Sequence, residues 1–152
     1  MTISNLCLVD TNVLIYAADE MSPLHHEASI LRDKGTRGEV PLCVTPQVLA
    51  EYFAIITDPK RVKQARTQLE AVMEIKKYFD TRQIAKILPN EITFPKFLEL
   101  LAKYPVKGQE IFDLQLVATM LSNGISRIYA YNKNDFTKYQ EIEVLSPDGV
   151  NA

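Results

Sequence analysis

Four carboxylates stand where carboxylates can do chemistry. Asp10 ends the apolar run Leu6–Val9. Glu51 lies in a very apolar segment, between Ala50 and Tyr52-Phe53. Asp113 falls early in the segment Gly108–Ser122, and Asp135 closes the loop Asn132-Lys133-Asn134-Asp135. Each has an ordinary reading as well. Asp10 is a possible helix cap, Glu51 a solvent-facing helix residue, Asp113 an acid that suits a helix N-terminus, and Asn132 and Asp135 turn residues. Their conjunction is harder to explain that way, because all of them follow strand ends or open helices at one rim of one sheet. Open α/β sheets bind ligands beyond the carboxyl ends of their strands. Crowded carboxylates raise one another's pKa unless a cation neutralises them. Hard oxygen donors with few His or Cys suit Mg²⁺ or Mn²⁺ rather than Zn²⁺. Such a cation activates water and clamps a phosphodiester during in-line attack.

The elements that must position these acids alternate in kind. Leu6–Val9, Pro41–Val44, Ala85–Leu88, Ile128–Tyr131 and Ile142–Leu145 are short continuous apolar runs, as expected of strands buried on both faces. Between them, helices are expected over Asn12–Ala18, over Leu24–Lys34 with Gly35 as the stop, and from Thr45-Pro46 through Ile56. Further helices are expected over Lys60–Phe79 with Asp58 as the cap, over Pro95–Lys103, and over Gly108–Ser122 up to Asn123-Gly124. Strands alternating with helices predict a parallel sheet with helices on both faces. No repeat or linker divides the chain, so 1–152 reads as one domain.

Composition narrows the class. The 152 residues carry 17 Lys+Arg against 19 Asp+Glu, a formal net charge of −2, which excludes a whole-domain basic footprint. It leaves nucleic acid open as a substrate, because a bound cation or a local patch can supply the positive charge. Cys7 and Cys43 both lie among apolar residues, so buried thiols in a reducing cytosol are expected. Met1–Asn5 has no basic segment followed by a long apolar stretch. No segment reaches the roughly 18 apolar residues needed to span a membrane. The expectation is a cytoplasmic protein.

At this point four motifs match a known family in order. Leu8-Val9-Asp10-Thr11-Asn12-Val13-Leu14-Ile15-Tyr16-Ala17 resembles the opening strand and turn of PIN-domain ribonucleases. Val44-Thr45-Pro46-Gln47-Val48-Leu49-Ala50-Glu51-Tyr52 resembles their second motif, Ile111-Phe112-Asp113-Leu114-Gln115-Leu116-Val117-Ala118 their third, and Tyr129-Ala130-Tyr131-Asn132-Lys133-Asn134-Asp135-Phe136 their fourth. The resemblance spans about residues 6–147 and is strongest to the VapC-type toxins of bacterial toxin–antitoxin pairs. It implies a three-layer αβα fold whose parallel five-stranded sheet is ordered 3-2-1-4-5. It also implies an endoribonuclease that uses Mg²⁺ or Mn²⁺ on single-stranded RNA, works as a homodimer, and is restrained by a cognate VapB-like antitoxin. Asp10, Glu51 and Asp113 map onto the family's metal-binding acids, with Thr11 and Asn12 orienting Asp10 or the metal's waters. Asn132 and Asp135 complete the candidate catalytic set. The fourth motif departs from the common pattern, in which Thr or Ser is followed two residues on by an acid; Ala130 and Asn132 stand there. One metal is therefore the expectation.

His25-His26 has no ligand-spaced partner except Glu27 and reads as a surface pair. Neither a nucleophile elbow nor a phosphate-cradling glycine loop is present. Lys60, Arg61, Lys63 and Arg66, with Lys76 and Lys77 beyond, form either a solvated helix face or a strip that holds RNA phosphates. Tyr16 is the candidate for base stacking. A rival reading keeps the fold but makes it an RNA- or protein-binding module with little catalysis, motivated by Ala130 and Asn132. A phosphatase or receiver domain fails because Asn12 stands two residues after Asp10 and Leu88-Pro89-Asn90 follows the third strand.

Overall fold

A computed structural model describes residues 5–150. Residues 1–4 and 151–152, with the reading of the N-terminal end as leaderless and the outer limits of the 1–152 domain, lie outside the described residues. Strands β1 (Cys7–Val9), β2 (Leu42–Val44), β3 (Ala85–Lys86), β4 (Arg127–Tyr129) and β5 (Glu143–Leu145) form one sheet in the order β3-β2-β1-β4-β5. Every pairing is parallel. Six helices connect them: α1 (Thr11–Ala18), α2 (His25–Thr36), α3 (Pro46–Ile56), α4 (Gln68–Asp80), α5 (Thr93–Lys103) and α6 (Glu110–Ser122).

Successive strand residues point to opposite faces. All three residues of β1 and all three of β2 are buried, so helices cover both sides of the sheet centre. Leu8, Cys43 and Ile128, paired across β2, β1 and β4, are fully buried at the middle of the core. The chain builds β1, β2 and β3 outward in one direction, then returns to lay β4 on the other side of β1. The strand order therefore reverses between β1 and β4, which fixes a crevice at their carboxyl ends. Among the described residues, no helix is long and apolar enough to cross a membrane.

Two expected element boundaries are corrected. The helix expected over Lys60–Phe79 starts at Gln68. Thr67 caps it, its Oγ1 accepting from the Glu70 backbone N–H (3.2 Å), while Glu70 Oε1 accepts from the Thr67 N–H (2.8 Å). This reciprocal T-x-x-E box satisfies two otherwise orphaned donors, so it outweighs Asp58 as a start signal. Asp58 instead accepts from the Lys60 N–H (2.9 Å) in a local turn. Lys60, Arg61, Lys63 and Arg66 thus lie on an irregular segment and not on a helix face. Gly35, expected as a stop, lies inside α2. A Cβ there would stand 2.3 Å from Leu42 Cδ1, so glycine lets α2 approach β2.

Helix α1, which leaves the end of β1, is held at its far end by three side chains. His25 Nδ1 donates to the Tyr16 carbonyl (3.0 Å), Arg32 Nη1 to that of Ala17 (2.8 Å), and Arg66 Nη2 to that of Ala18 (3.0 Å). The Tyr16 carbonyl also accepts from the Asp19 N–H (3.3 Å), and the guanidinium groups of Arg32 and Arg66 suit the negative end of the helix dipole. His25 is therefore half-buried and structural, whereas His26 is exposed. Tyr16 packs edge-to-face on Tyr131 with ring centroids 5.2 Å apart, which leaves it half-buried.

The corrected start of α4 separates two substitutions. Thr67→Ala is expected to lower stability by about 1 kcal/mol through loss of the cap. Lys63→Gly is expected to cost less than ~0.5 kcal/mol, not the ~1 kcal/mol of a glycine in a helix interior. Urea denaturation of both variants checks the pair.

Candidate functional site

The crevice between β1 and β4 gathers the four acids. Asp10 follows β1, and its N–H donates to the Tyr129 carbonyl of β4 (3.0 Å), which fixes it at the strand reversal. The loop after β4 brings Asn132–Asp135 to the same rim, where Tyr131, Asn132, Lys133, Asn134 and Asp135 line an open groove. Asp113 comes from the first turn of α6, and Glu51 from the middle of α3.

Asp10 is 8% exposed. It occupies the cap position of α1, yet among the described residues its carboxylate makes no capping hydrogen bond. Val13 N–H is satisfied by the Asp10 main-chain carbonyl (3.1 Å) instead. The side chain is thus not used as a helix cap. Burial pushes its pKa from 3.8 up to about 7. Asp113, Glu51 and Asp135 raise it further, and the Thr11 backbone N–H pulls the other way. Asp113 is pushed up to about 6, first by burial, then by Asp135 and Glu51. A carboxylate kept in a helix's first turn for the dipole alone would be stabilised as the anion. Asp113 shows the reverse, so its burial, with its neighbours, outweighs the helix end.

Glu51 is held at both oxygens. Thr11 Oγ1 donates to Oε2 (3.0 Å), and Gln47 Nε2 donates to Oε1 (3.2 Å). Thr11 is itself buried, which fits the expected orienting role, but its hydroxyl orients Glu51 and not Asp10. Asn12 is half-buried and opens α1 beside it. Asn132 is exposed, and its main-chain carbonyl accepts from the Asp135 N–H (3.1 Å). Among the described residues, no hydrogen bond joins its side chain to Asp10, Glu51 or Asp113.

The donors fit a hard divalent cation by chemistry. They are all oxygen, and Asp10 and Asp113 are each disfavoured as anions, first by burial and then by the remaining acids, a penalty that a cation relieves. The arrangement is open. Among the described residues, no three His, Cys, Asp or Glu side chains stand close enough to enclose a metal ion. Mg²⁺ is commonly held by one or two carboxylates and completed by waters and substrate phosphates.

Of the basic residues, Lys60, Arg61 and Lys63 are exposed on the irregular segment, whereas Arg66 is half-buried and engaged at the end of α1. Lys77 pairs with Glu74 at 2.8 Å. Sequence reasoning passed over two residues. Gln47 stands four before Glu51, a spacing that places both on one helix face and was readable as a pair. Tyr139, nearly fully buried, has a hydroxyl with no hydrogen-bond partner among the described residues. After burial, the charge that acts on it most is Asp113. Nothing in its sequence context signals that placement.

Residues 7–142 match the PIN domain model. The chain belongs to the PIN-domain family. The relatives within it are of the VapC kind, as the four motifs led one to expect. Ribonuclease VapC48 of Mycobacterium tuberculosis is 23% identical over 138 residues, and Ribonuclease VapC24 of the same organism 26% over 140; both alignments cover 91% of this chain and 94% of the relative. Among solved structures, M. tuberculosis VapC20, described as a sarcin-ricin loop cleaving toxin, superposes with a TM-score of 0.64 at 15% identity, covering 88% of this chain and 95% of its own. A toxin–antitoxin complex from Klebsiella pneumoniae gives 0.60 at 17%, covering 93% and 97%. VapBC2 from Rickettsia felis, bound to a fragment of its promoter DNA, gives 0.64 at 12%, covering 93% and 98%. At these identities the solved structures speak for the fold, and this chain's own sheet order is the one expected.

The raised carboxylates have a pH consequence in the metal-free protein. Unfolded, both aspartates ionise near 3.8; folded, they hold their protons to about 7 and about 6. The stability they contribute is full below the unfolded value and is lost as the pH rises through the folded ones. For Asp10 the penalty is on the order of a few kcal/mol. The melting midpoint in EDTA is therefore expected to fall between about pH 5 and about pH 7.5. Asp10→Asn should remove most of that slope, as differential scanning fluorimetry across the range will show.

Proposed function

We propose that this chain is an endoribonuclease of the VapC kind, which hydrolyses phosphodiester bonds of single-stranded RNA with Mg²⁺ or Mn²⁺ at the β1–β4 crevice. The observation that carries the proposal is the gathering of Asp10, Glu51, Asp113 and Asp135 at the point where the strand order reverses, with Asp10 and Asp113 disfavoured as anions. Its relatives bear the name ribonuclease, which supports the reading. A bound cation supplies an activated water and Lewis acidity toward the phosphate. Asp10 and Asp113 bind it, and Glu51, fixed by Thr11 and Gln47, completes the acidic wall. Asp135 adds negative charge from the groove. Asn132 offers an uncharged amide there, able to hydrogen-bond a phosphate or sugar oxygen. Lys60, Arg61 and Lys63 are the candidates for backbone phosphates, and Arg66 is withdrawn from that role.

In the same proposal the protein is the toxin of a VapBC-type pair, a homodimer acting in the cytoplasm and restrained by a cognate VapB-like antitoxin. Structural neighbours solved as toxin–antitoxin complexes support that partner. The rival binding module keeps the fold and the groove but needs no cation.

A fluorogenic single-stranded RNA, assayed with MgCl₂ or MnCl₂, separates the readings. Cleavage should be abolished by EDTA and lowered at least ~100-fold by Asp10→Asn and by Asp113→Asn. Cleavage that persists through both substitutions, or RNA binding without any response to cation, would overturn the nuclease reading.

A further inference from the structure

The Gln47 side chain joins the two helices that carry Glu51 and Asp113. It stands in the first turn of α3, four residues before Glu51, so the two side chains share a face. A glutamine amide has two N–H donors. Both are in use: Nε2 donates to Glu51 Oε1 at 3.2 Å and to the Phe112 main-chain carbonyl at 3.0 Å. The second bond spans 65 residues of chain and lands on the residue just before Asp113. Glu51 Oε2, meanwhile, accepts from Thr11 Oγ1 at 3.0 Å, and Thr11 follows Asp10 directly. A continuous chain of hydrogen bonds therefore runs from the turn after β1, through Glu51 and Gln47, to the first turn of α6. Its ends are the residues adjacent to the buried Asp10 and the half-buried Asp113.

We infer that Gln47 is a positioning residue. Its amide fixes the Glu51 carboxylate and ties it to the α6 turn that presents Asp113, so that the spacing of the acidic wall is set before a cation arrives. The main packing partners of α3 are α1 and α4, whereas α6 packs with α5. The alignment of Glu51 with Asp113 is thus not given by close helix packing and depends on such a side-chain tie. Glutamine suits the place because its amide is neutral. A lysine would add a charge to compete with the cation, and a shorter asparagine would not span from Glu51 to the Phe112 carbonyl.

The inference rests on the metal-dependent reading, and the experiment separates the two. Mn²⁺ is titrated into the full chain and the free ion followed by its EPR signal, with no RNA present. Gln47→Met keeps the length of the side chain and removes both donors. It is expected to weaken Mn²⁺ binding roughly 10- to 100-fold, while the melting midpoint in EDTA stays within about 2 °C of wild type. Gln115→Met, on the exposed face of α6, should leave Mn²⁺ binding unchanged. Added to Glu51→Gln, Gln47→Met should lower affinity by less than the sum of the single effects, because part of its action passes through Glu51. Wild-type affinity in Gln47→Met, full additivity, or a loss that tracks a falling melting midpoint would overturn the positioning role and leave the metal site standing. A wild-type chain that binds no Mn²⁺ would overturn the metal-dependent reading and this inference with it.

Discussion

The burial of Asp10 beside other carboxylates at the strand reversal is the constraint to which the rest of the molecule answers. Buried acids near other acids are costly unless something compensates them. Here the compensation is incomplete: Asp10 and Asp113 both sit well above the ordinary carboxylate range. A fold that keeps such a cluster must hold it by other means. The apolar core beneath does so. Leu8, Cys43 and Ile128 lock the three central strands, and Asp10 is attached directly to the end of the middle one. Its main-chain N–H is taken by β4, so the backbone at Asp10 cannot shift without breaking the pairing at that point.

The hydrogen bonds around Glu51 answer the same constraint in another way. Thr11 and Gln47 deliver neutral donors to both oxygens, which supports a carboxylate without cancelling its charge. Lys138, by contrast, pairs with Glu110 one turn away at 3.3 Å and lowers the Asp113 pKa only as a minor opposing influence. Lys133 lines the groove beside Asp135, yet the carboxylates at the rim outnumber it. The formal charge of −2 for the whole chain hides this separation between an acidic pocket and basic residues placed elsewhere.

Much of this was legible in the residues. Leu6–Val9 and Pro41–Val44 are apolar runs with no polar interruption, and a strand buried on both faces admits little else. Thr45-Pro46 announced the start of α3, and the Thr45 hydroxyl accepts from the Val48 N–H as a cap should. The start of α4 was misplaced because Val62 and Ala65 happen to fall in helical register with Leu69 and Val72, and periodicity alone cannot show where hydrogen bonding begins. The T-x-x-E box at Thr67 was the better signal. Gly35 was misread because a glycine that lets two elements touch looks, in a sequence, like a glycine that ends a helix. At the site, the acids could be named from their motifs. The tie from Gln47 to Phe112 could not, since it joins residues brought together only by the crossover from β3 to β4.

Helix α1 offers one further consequence. It has 8 residues, so at 1.5 Å per residue its two ends are about 12 Å apart. Asp10 stands at one end. At the other, Arg66 reaches across from the segment before α4 to the last carbonyl. Basic residues in a nuclease are commonly surveyed by neutralising them one at a time and ranking the losses as substrate contacts. In such a survey Arg66 would score with Lys60, Arg61 and Lys63, its neighbours in the chain. Its effect, however, would travel along the helix to the acid and not through a contact of its own with a substrate.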